Sequence, residues 1–426
     1  LTLLRGFLAF IAVLLIVLAG LVLLMIDTEP QVRSNASEQM NEADTVKKLL
    51  TQIEESIRDR HDEHTITVSE TQFDSLVGFV QRASASFRGK VNVSASNTLF
   101  EASVAVPIFG RDWYLNVESV VLPGNKLDID YVSIGSLKIP GSMAVGLVEL
   151  GVNWWTKSDI ASLARKQINS VTMSEQVLAV QLKPMDGLLK QLNEVKNGLS
   201  VDQDDELRDL TAYYLRYISW QQMALSEDRQ RLLDYLRVLM TRVQQRSTPE
   251  TAVLHNKAAI FGLAIFVGHH RLANIVGDVQ PNADKALKPA APALLKDRED
   301  LAKHFIISAA LQLHSEQALT FAIGEFKELM DRSMDGSGYS FVDLTADMAG
   351  VELARAASNP EFARELQQQL INAEDESLIM PDIDGLVEGL SKAQFELRFD
   401  KVDSEAYLQE VAKIRSRLQE MPLYQH

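Results

Sequence analysis

The run GFLAFIAVLLIVLAGLVLLMI, residues 6–26, limits what this chain can become more than any other feature. It is uncharged and almost wholly apolar over 21 residues. At about 1.5 Å per residue a helix over it is about 30 Å long, the thickness of a bilayer core. Arg5 precedes the run, and Asp27 and Glu29 follow it. That charge bias places the N-terminus in the cytoplasm and everything after residue 27 outside. A cleaved signal peptide would carry an apolar region of only about 7–15 residues, closed by an Ala-x-Ala-like site. This run is longer and lacks such a site. The expectation is a single-pass protein of the cytoplasmic membrane, anchored through residues 6–26, with its bulk extracytoplasmic.

The 426 residues are too many for one ordinary core and predict two or three domains. A net charge of -16 repels nucleic-acid phosphates, so no nucleic-acid partner is expected. The chain has no cysteine, which excludes disulfides, Cys-ligated zinc and thiol nucleophiles.

Residues 27–45 are polar, lack aromatics and read as a juxtamembrane linker after the 1–26 anchor. VKKLLTQIEESI, 46–57, is a short amphipathic helix. ITVSETQFDSLVGFVQRA then predicts a strand and a helix, with Ser69 and Gln72 as a capping box and Phe73, Leu76, Val77 and Val80 on one face. From 90 to 140 the apolar period becomes two, with Gly and Pro between the runs. This is an antiparallel sheet with one buried face, closed by helices near 142–154 and 158–170 and by a last strand near 175–183. The segment 46–197 is thus expected as an α+β domain, a curved antiparallel sheet packed on helices. The acidic stretch VDQDDE, 201–206, ends it, and 207–426 is expected as an all-α helical domain. There, Thr248-Pro249 reads as a helix start. AAIFGLAIFVG, 258–268, is too short to span a bilayer and reads as a buried core helix. Residues 280–295, rich in Pro and Ala, read as an ordered crossover loop or a lid.

Two stretches carry family likenesses. VSETQFDSLVGFV, the sheet, and the turn at Ile134, Gly135, Leu137 and Pro140 resemble the YpmS-like membrane-anchored proteins. HF-x-x-SA, KE-x-x-D and GSG-aromatic-SF-x-DL-x-AD-x-AG resemble a group of bacterial envelope proteins with YfiM-like lipoprotein spacing. That second pattern marks His304, Lys327, Glu328, Asp331, Asp343 and Asp347. Neither likeness brings an activity with it.

GEFKELMDRSMDGSGYSFVDLTAD, 324–347, holds the chemistry that most needs explaining. His304 and Ser308 are one turn apart on a helix apolar nearly all round, which predicts burial. A buried imidazole needs a partner, and the acids of 325–347 are nearest in sequence. On the next helix Glu328 stands about 160° from the centre of the apolar stripe and Asp331 about 140°, so in a two-layer packing both face water. Ser340 caps the following helix with Asp343 at its third position, a structural duty for that carboxylate. Asp347 shares the Asp343 face. Two readings therefore stand side by side: a capped helical hairpin with wet faces, or a divalent-cation site made by His304, Glu328, Asp331, Asp343 and Asp347. Oxygen ligands suit Mg²⁺, Ca²⁺ or Mn²⁺, and one imidazole admits zinc or iron.

Other candidates are weaker. His269-His270 point about 100° apart on a helix and suit a surface or cap role. His61 and His64 read as a solvated turn, and at least one of Trp154 and Trp155 as core. No Walker A loop, HExxH, GxSxG or Rossmann fingerprint occurs. The leading expectation is a non-enzymatic binding or assembly role at the cell envelope, with lipid, cell wall or a protein as partner. The alternative is a metal-binding or metal-dependent hydrolase domain centred on His304.

Overall fold

The computed structural model describes residues 20–199, 205–277, 279–280, 285–315, 317–332 and 336–425. Its contacts divide the chain into two compact units, residues 1–199 and 200–426. Most of the expected membrane span, residues 1–19, lies outside the described residues. Residues 20–25 are helical and Ile26–Asp27 form a strand, β1. No described helix is long and apolar enough to cross a membrane.

The first unit is α+β. After α1 (Val46–Arg58) come β2 (His64–Ser69) and α2 (Glu70–Ala83), joined by the Ser69–Gln72 capping box. Strands β3 (Phe87–Val93), β4 (Thr98–Ile108), β5 (Arg111–Leu122), β6 (Asp128–Ile134) and β7 (Leu137–Pro140) form an antiparallel meander in chain order. β4 and β5 close on two residues, Phe109 and Gly110, both at positive φ, the turn whose twist matches paired strands. Helices α3 (Gly141–Thr156) and α4 (Ile160–Gln167) follow. β8 (Ile168–Ser174) and β9 (Val177–Leu182) then join β2 in a separate three-stranded sheet, ordered β2-β9-β8. The expected helix to residue 170 therefore stops at Gln167, where the sequence turns to the alternating, β-branched pattern of β8. Helix α5 (Asp186–Leu199) ends the unit. Val91, Val93, Val171 and Leu178 centre its core, with Phe73 and Val77 of α2 against them.

Residues 27–45 are not a solvated linker. β1 pairs with β5, Val32, Met40 and Ala43 are buried, and 36–45 is helical. Hydrogen bonding joins that apolar burial in holding the segment. Gln72, Ser75 and Gln81 of α2 donate to Thr45 O, Gln39 O and Gln39 Oε1 at 2.8, 3.2 and 2.7 Å. Gly78 completes that face, because a Cβ there would stand 2.8 Å from Gln39 Cβ. The apolar face assigned to α2 is thus only half used, and Val80 is exposed.

The second unit is built of helices α6 (Asp205–Ser219), α7 (Leu232–Arg246), α8 (Ala252–Leu263), α9 (Glu299–His314), α10 (Gln317–Met330), α11 (Phe341–Ser358), α12 (Ala363–Asn372), α13 (Lys392–Phe399) and α14 (Glu405–Gln419). The second half of α8, residues 258–263, is apolar on every side and buried, as such a helix must be. α8 starts at Ala252 rather than at Pro249, because Thr248–Thr251 close a turn first. α9 and α11 touch backbone to backbone: a Cβ on Gly350 would sit 2.0 Å from Phe305 O. That approach sets His304 beside Asp347.

Candidate metal centre

α9 supplies His304 and Ser308, α10 supplies Lys327, Glu328 and Asp331, and α11 supplies Asp343 and Asp347. The His304 side chain is 10% exposed, and its two ring nitrogens meet different surroundings. Nδ1 lies 3.1 Å from Asp347 Oδ1, and Ser308 donates to that same oxygen at 2.6 Å. Nε2 points between Asp343 Oδ2 at 3.7 Å and Glu328 Oε1 at 4.0 Å, too far from either for a hydrogen bond. One ligand atom each from His304, Glu328 and Asp343 lie within 4.8 Å of one another.

Glu328 is 0% exposed, which corrects the expectation of a wet face. α10 is packed on more than one side, so an angle measured from a single apolar stripe does not apply. Its Oε2 accepts the Ser340 N–H at 3.0 Å, and Ser340 Oγ accepts the Asp343 N–H at 3.0 Å. Glu328 thus occupies the capping position expected of Asp343. The Asp343 carboxylate is left to face His304 and Arg298, the latter at 3.3 Å. Asp331 is set apart from this group: it pairs with Lys327 at 2.8 Å and is partly exposed. Lys327 also reaches Glu328 Oε1 at 3.2 Å.

The electrostatics follow from burial. Desolvation pushes the Glu328 carboxyl up to about 8, with Lys327 opposing it and Asp343 and Asp347 adding to it. Burial alone would lower His304, but the Asp347 carboxylate overrides it and holds the imidazole at about 9. Burial likewise raises Asp343, against the pull of His304. Asp347 Oδ2 is buried without a hydrogen-bond partner, and Gly324 makes room for it: a Cβ there would stand 2.9 Å away.

A histidine fixed through one nitrogen by a carboxylate, and presenting the other to two carboxylates, is the arrangement of a metal-ligating imidazole with its orienting partner. Three protein donors of N and O type leave coordination positions open. Two contributors lie outside the set marked in the sequence. Arg298 lies 45 residues from Asp343 with no local signal, whereas Gly324, in the quoted stretch, was legible as a small residue inside a helix.

The remaining candidates fall elsewhere. His269 caps a short turn by accepting from Arg271 N at 3.2 Å. His61 pairs with Asp186 at 2.6 Å on the surface, and His64 contacts Asp59 O. Trp154 and Trp155 are 80% and 66% exposed, so the expected core role is met by neither. No protein-family model, no curated protein and no solved structure matches the chain.

Proposed function

We propose that this chain is a membrane-anchored extracytoplasmic protein whose helical unit binds a divalent cation between His304 Nε2, Glu328 and Asp343. The anchor reading is supported by the apolar run 6–26 and its flanking charges. One observation carries the cation reading: Nε2 of a histidine side chain only 10% exposed lies 3.7 and 4.0 Å from two buried carboxylates, beyond hydrogen-bond distance of either. Asp347 and Ser308 orient the ring, and Lys327 neutralises Asp331 beside the site. The donor set suits zinc, manganese or iron. A cation held this way would activate water or polarise a carbonyl or phosphoryl oxygen, so metal-dependent hydrolysis is the chemistry the site best fits. Elemental analysis of the full chain, purified without chelator, tests this. One equivalent of metal, lost in both Glu328→Gln and Asp343→Asn, is the expected result.

A second reading has its own support. Lys327 and Arg298 lie 3.2 and 3.3 Å from Glu328 and Asp343, so the cluster can be a metal-free ionic network that locks three helices. A metal-free protein that takes up none of zinc, manganese or iron in solution would establish that network and remove the cation site.

A further inference from the structure

The first unit contains a cavity of about 520 Å³, open to solvent on one side, between the β6–β7 edge of its sheet and helices α3 and α4. Ile129, Val132, Ile139, Val145, Leu147 and Ile168 are among its walls, and no aromatic ring lines it. Its only charged lining residues are Glu149 and Arg165, which pair with each other at 3.0 Å. A space of this size falls in the range of ligand pockets, about 300–1,000 Å³. Water would find almost no partners there, since a buried water needs about two to four polar groups. A planar ring would find no stacking surface. The walls suit a flexible aliphatic chain.

The surroundings indicate the source of that chain. α3 carries one charged residue, Glu149, and exposes Met143, Leu147, Val148, Leu150, Trp154 and Trp155. Exposed apolar area of that extent marks an interaction surface, and tryptophan favours the boundary between lipid and water. The apolar N-terminal run enters the unit beside this same wall. Leu24 O accepts the Ser136 N–H at 2.7 Å, in the turn between β6 and β7, and those two strands line the cavity. From these observations we infer that the cavity receives an acyl chain of a membrane phospholipid, with the exposed side of α3 lying on the bilayer. The inference rests on the anchor reading above and is independent of the cation site.

The test uses the full chain in phosphatidylethanolamine–phosphatidylglycerol vesicles that contain a phospholipid with a photoactivatable diazirine in its acyl chain. Cross-linked peptides are mapped by mass spectrometry. The expected adducts fall on 129–148 and 161–168 as well as on 6–26, and excess unlabelled phospholipid competes with the cavity adducts. Ala144→Phe and Ala161→Phe fill the cavity and lower those adducts by about tenfold, leaving the 6–26 adducts unchanged, because no room remains for the chain. Adducts confined to 6–26 would overturn the cavity assignment and leave the anchor standing. Adducts absent from 6–26 would overturn the anchor itself. Cavity labelling that does not saturate, or a lipid-free cross-link from residues 1–19 into 139–148, would also remove the lipid from the cavity. Should both filled variants fail to fold, competition on the unaltered protein still decides the matter.

Discussion

His304 and Asp347 meet across the α9–α11 contact, with Nδ1 and Oδ1 3.1 Å apart, although 43 residues separate them in the chain. The pair fixes which nitrogen of the ring faces Glu328 and Asp343. Asp347→Asn keeps the shape of the partner but removes its charge, so the ring loses both its orientation and part of its basicity. Metal affinity should fall about 10–100-fold, the usual cost of losing such an orienting partner. Far-ultraviolet circular dichroism should remain unchanged. Competition with a chromophoric chelator measures the affinity, and an unaltered value would show that Asp347 does not act through His304.

Proton release provides a second test of the same ligand set. Without metal, Glu328 is held at about 8 and His304 at about 9, so near pH 7 both carry protons. Ligation requires both to be deprotonated, so the cation must expel about two protons per site at that pH. The number should fall towards zero above about pH 10, where both groups are already deprotonated. Apparent affinity should weaken as pH drops below about 9, and more steeply below about 8. Calorimetric titration in buffers of differing ionisation enthalpy counts the protons. A count of zero at pH 7 would exclude these two ligands.

What could be read in advance divides along physical lines. The caps at Ser69 and Ser340 were legible because an N-cap is a contact over three residues. The burial of 258–263 in α8 was legible because apolar residues ring that half. The inward position of Glu328 was not, because it depends on how many neighbours surround α10, and no pattern within one helix records that. The duty of Ser340 N–H was misassigned for a related reason: its acceptor lies twelve residues back on another helix rather than three residues ahead. The packing of 31–45 leaves little trace in its own sequence. Its buried apolar residues, Val32, Met40 and Ala43, are too few to mark a helical or strand period, and the rest of the hold comes from amide and hydroxyl side chains of another helix. His304 and Asp347 each carry a sequence signal, but their contact is a property of the α9–α11 crossing.

That crossing can be tested directly. Gly350 brings α11 against the α9 backbone, where a Cβ would lie 2.0 Å from Phe305 O and 3.1 Å from Ala309 N. Neither atom is the end of a flexible side chain, so relief requires the helices to separate. Gly350→Ala should cost about 2–3 kcal/mol in urea unfolding, at the upper end for an overpacked core. It should also weaken metal binding by moving His304 away from Asp343 and Asp347. Gly146→Ala, on α3 where nothing lies within 4 Å, is the control and should not destabilise.

A separate histidine should make the helical unit sensitive to acid. His255 Nδ1 lies 2.7 Å from Tyr214 Oη, and burial, reinforced by Arg246, lowers its pKa from 6.5. The folded form therefore resists protonation. As pH falls through about 6.5 the unfolded chain takes up a proton that the folded chain does not, so this contribution to stability is complete above that pH and declines below it. Glu328 and His304, whose folded pKa values are raised, act in the opposite sense in metal-free protein. The readout is therefore the difference between two proteins: the urea midpoint of His255→Gln relative to the unaltered chain should rise as pH falls from about 7 to about 5. An equal slope in the variant would assign the acid sensitivity to other groups.

Asn116 decides whether the segment after the apolar run belongs to the sheet. Its Oδ1 accepts Gln31 N–H at 3.0 Å and the Ser103 hydroxyl at 2.6 Å, while Nδ2 donates to Asp27 Oδ2 at 2.8 Å and Glu29 O at 3.0 Å. One buried amide on β5 thus uses both ends to clamp residues 27–31. Asn116→Leu preserves bulk but leaves those groups without partners, each costing about 1–3 kcal/mol where it stays buried. The segment has an alternative, which is to detach and be hydrated. The expected outcome is therefore local: faster amide hydrogen exchange across 26–33 and proteolysis there, with β3–β5 still protected. Detachment would also release the Ile26–Leu115 pairing that ties the apolar run to the sheet. If exchange at 26–33 stays at its original rate in the variant, the clamp lies elsewhere, and the polar contacts of 36–45 with α2 suffice to hold the segment.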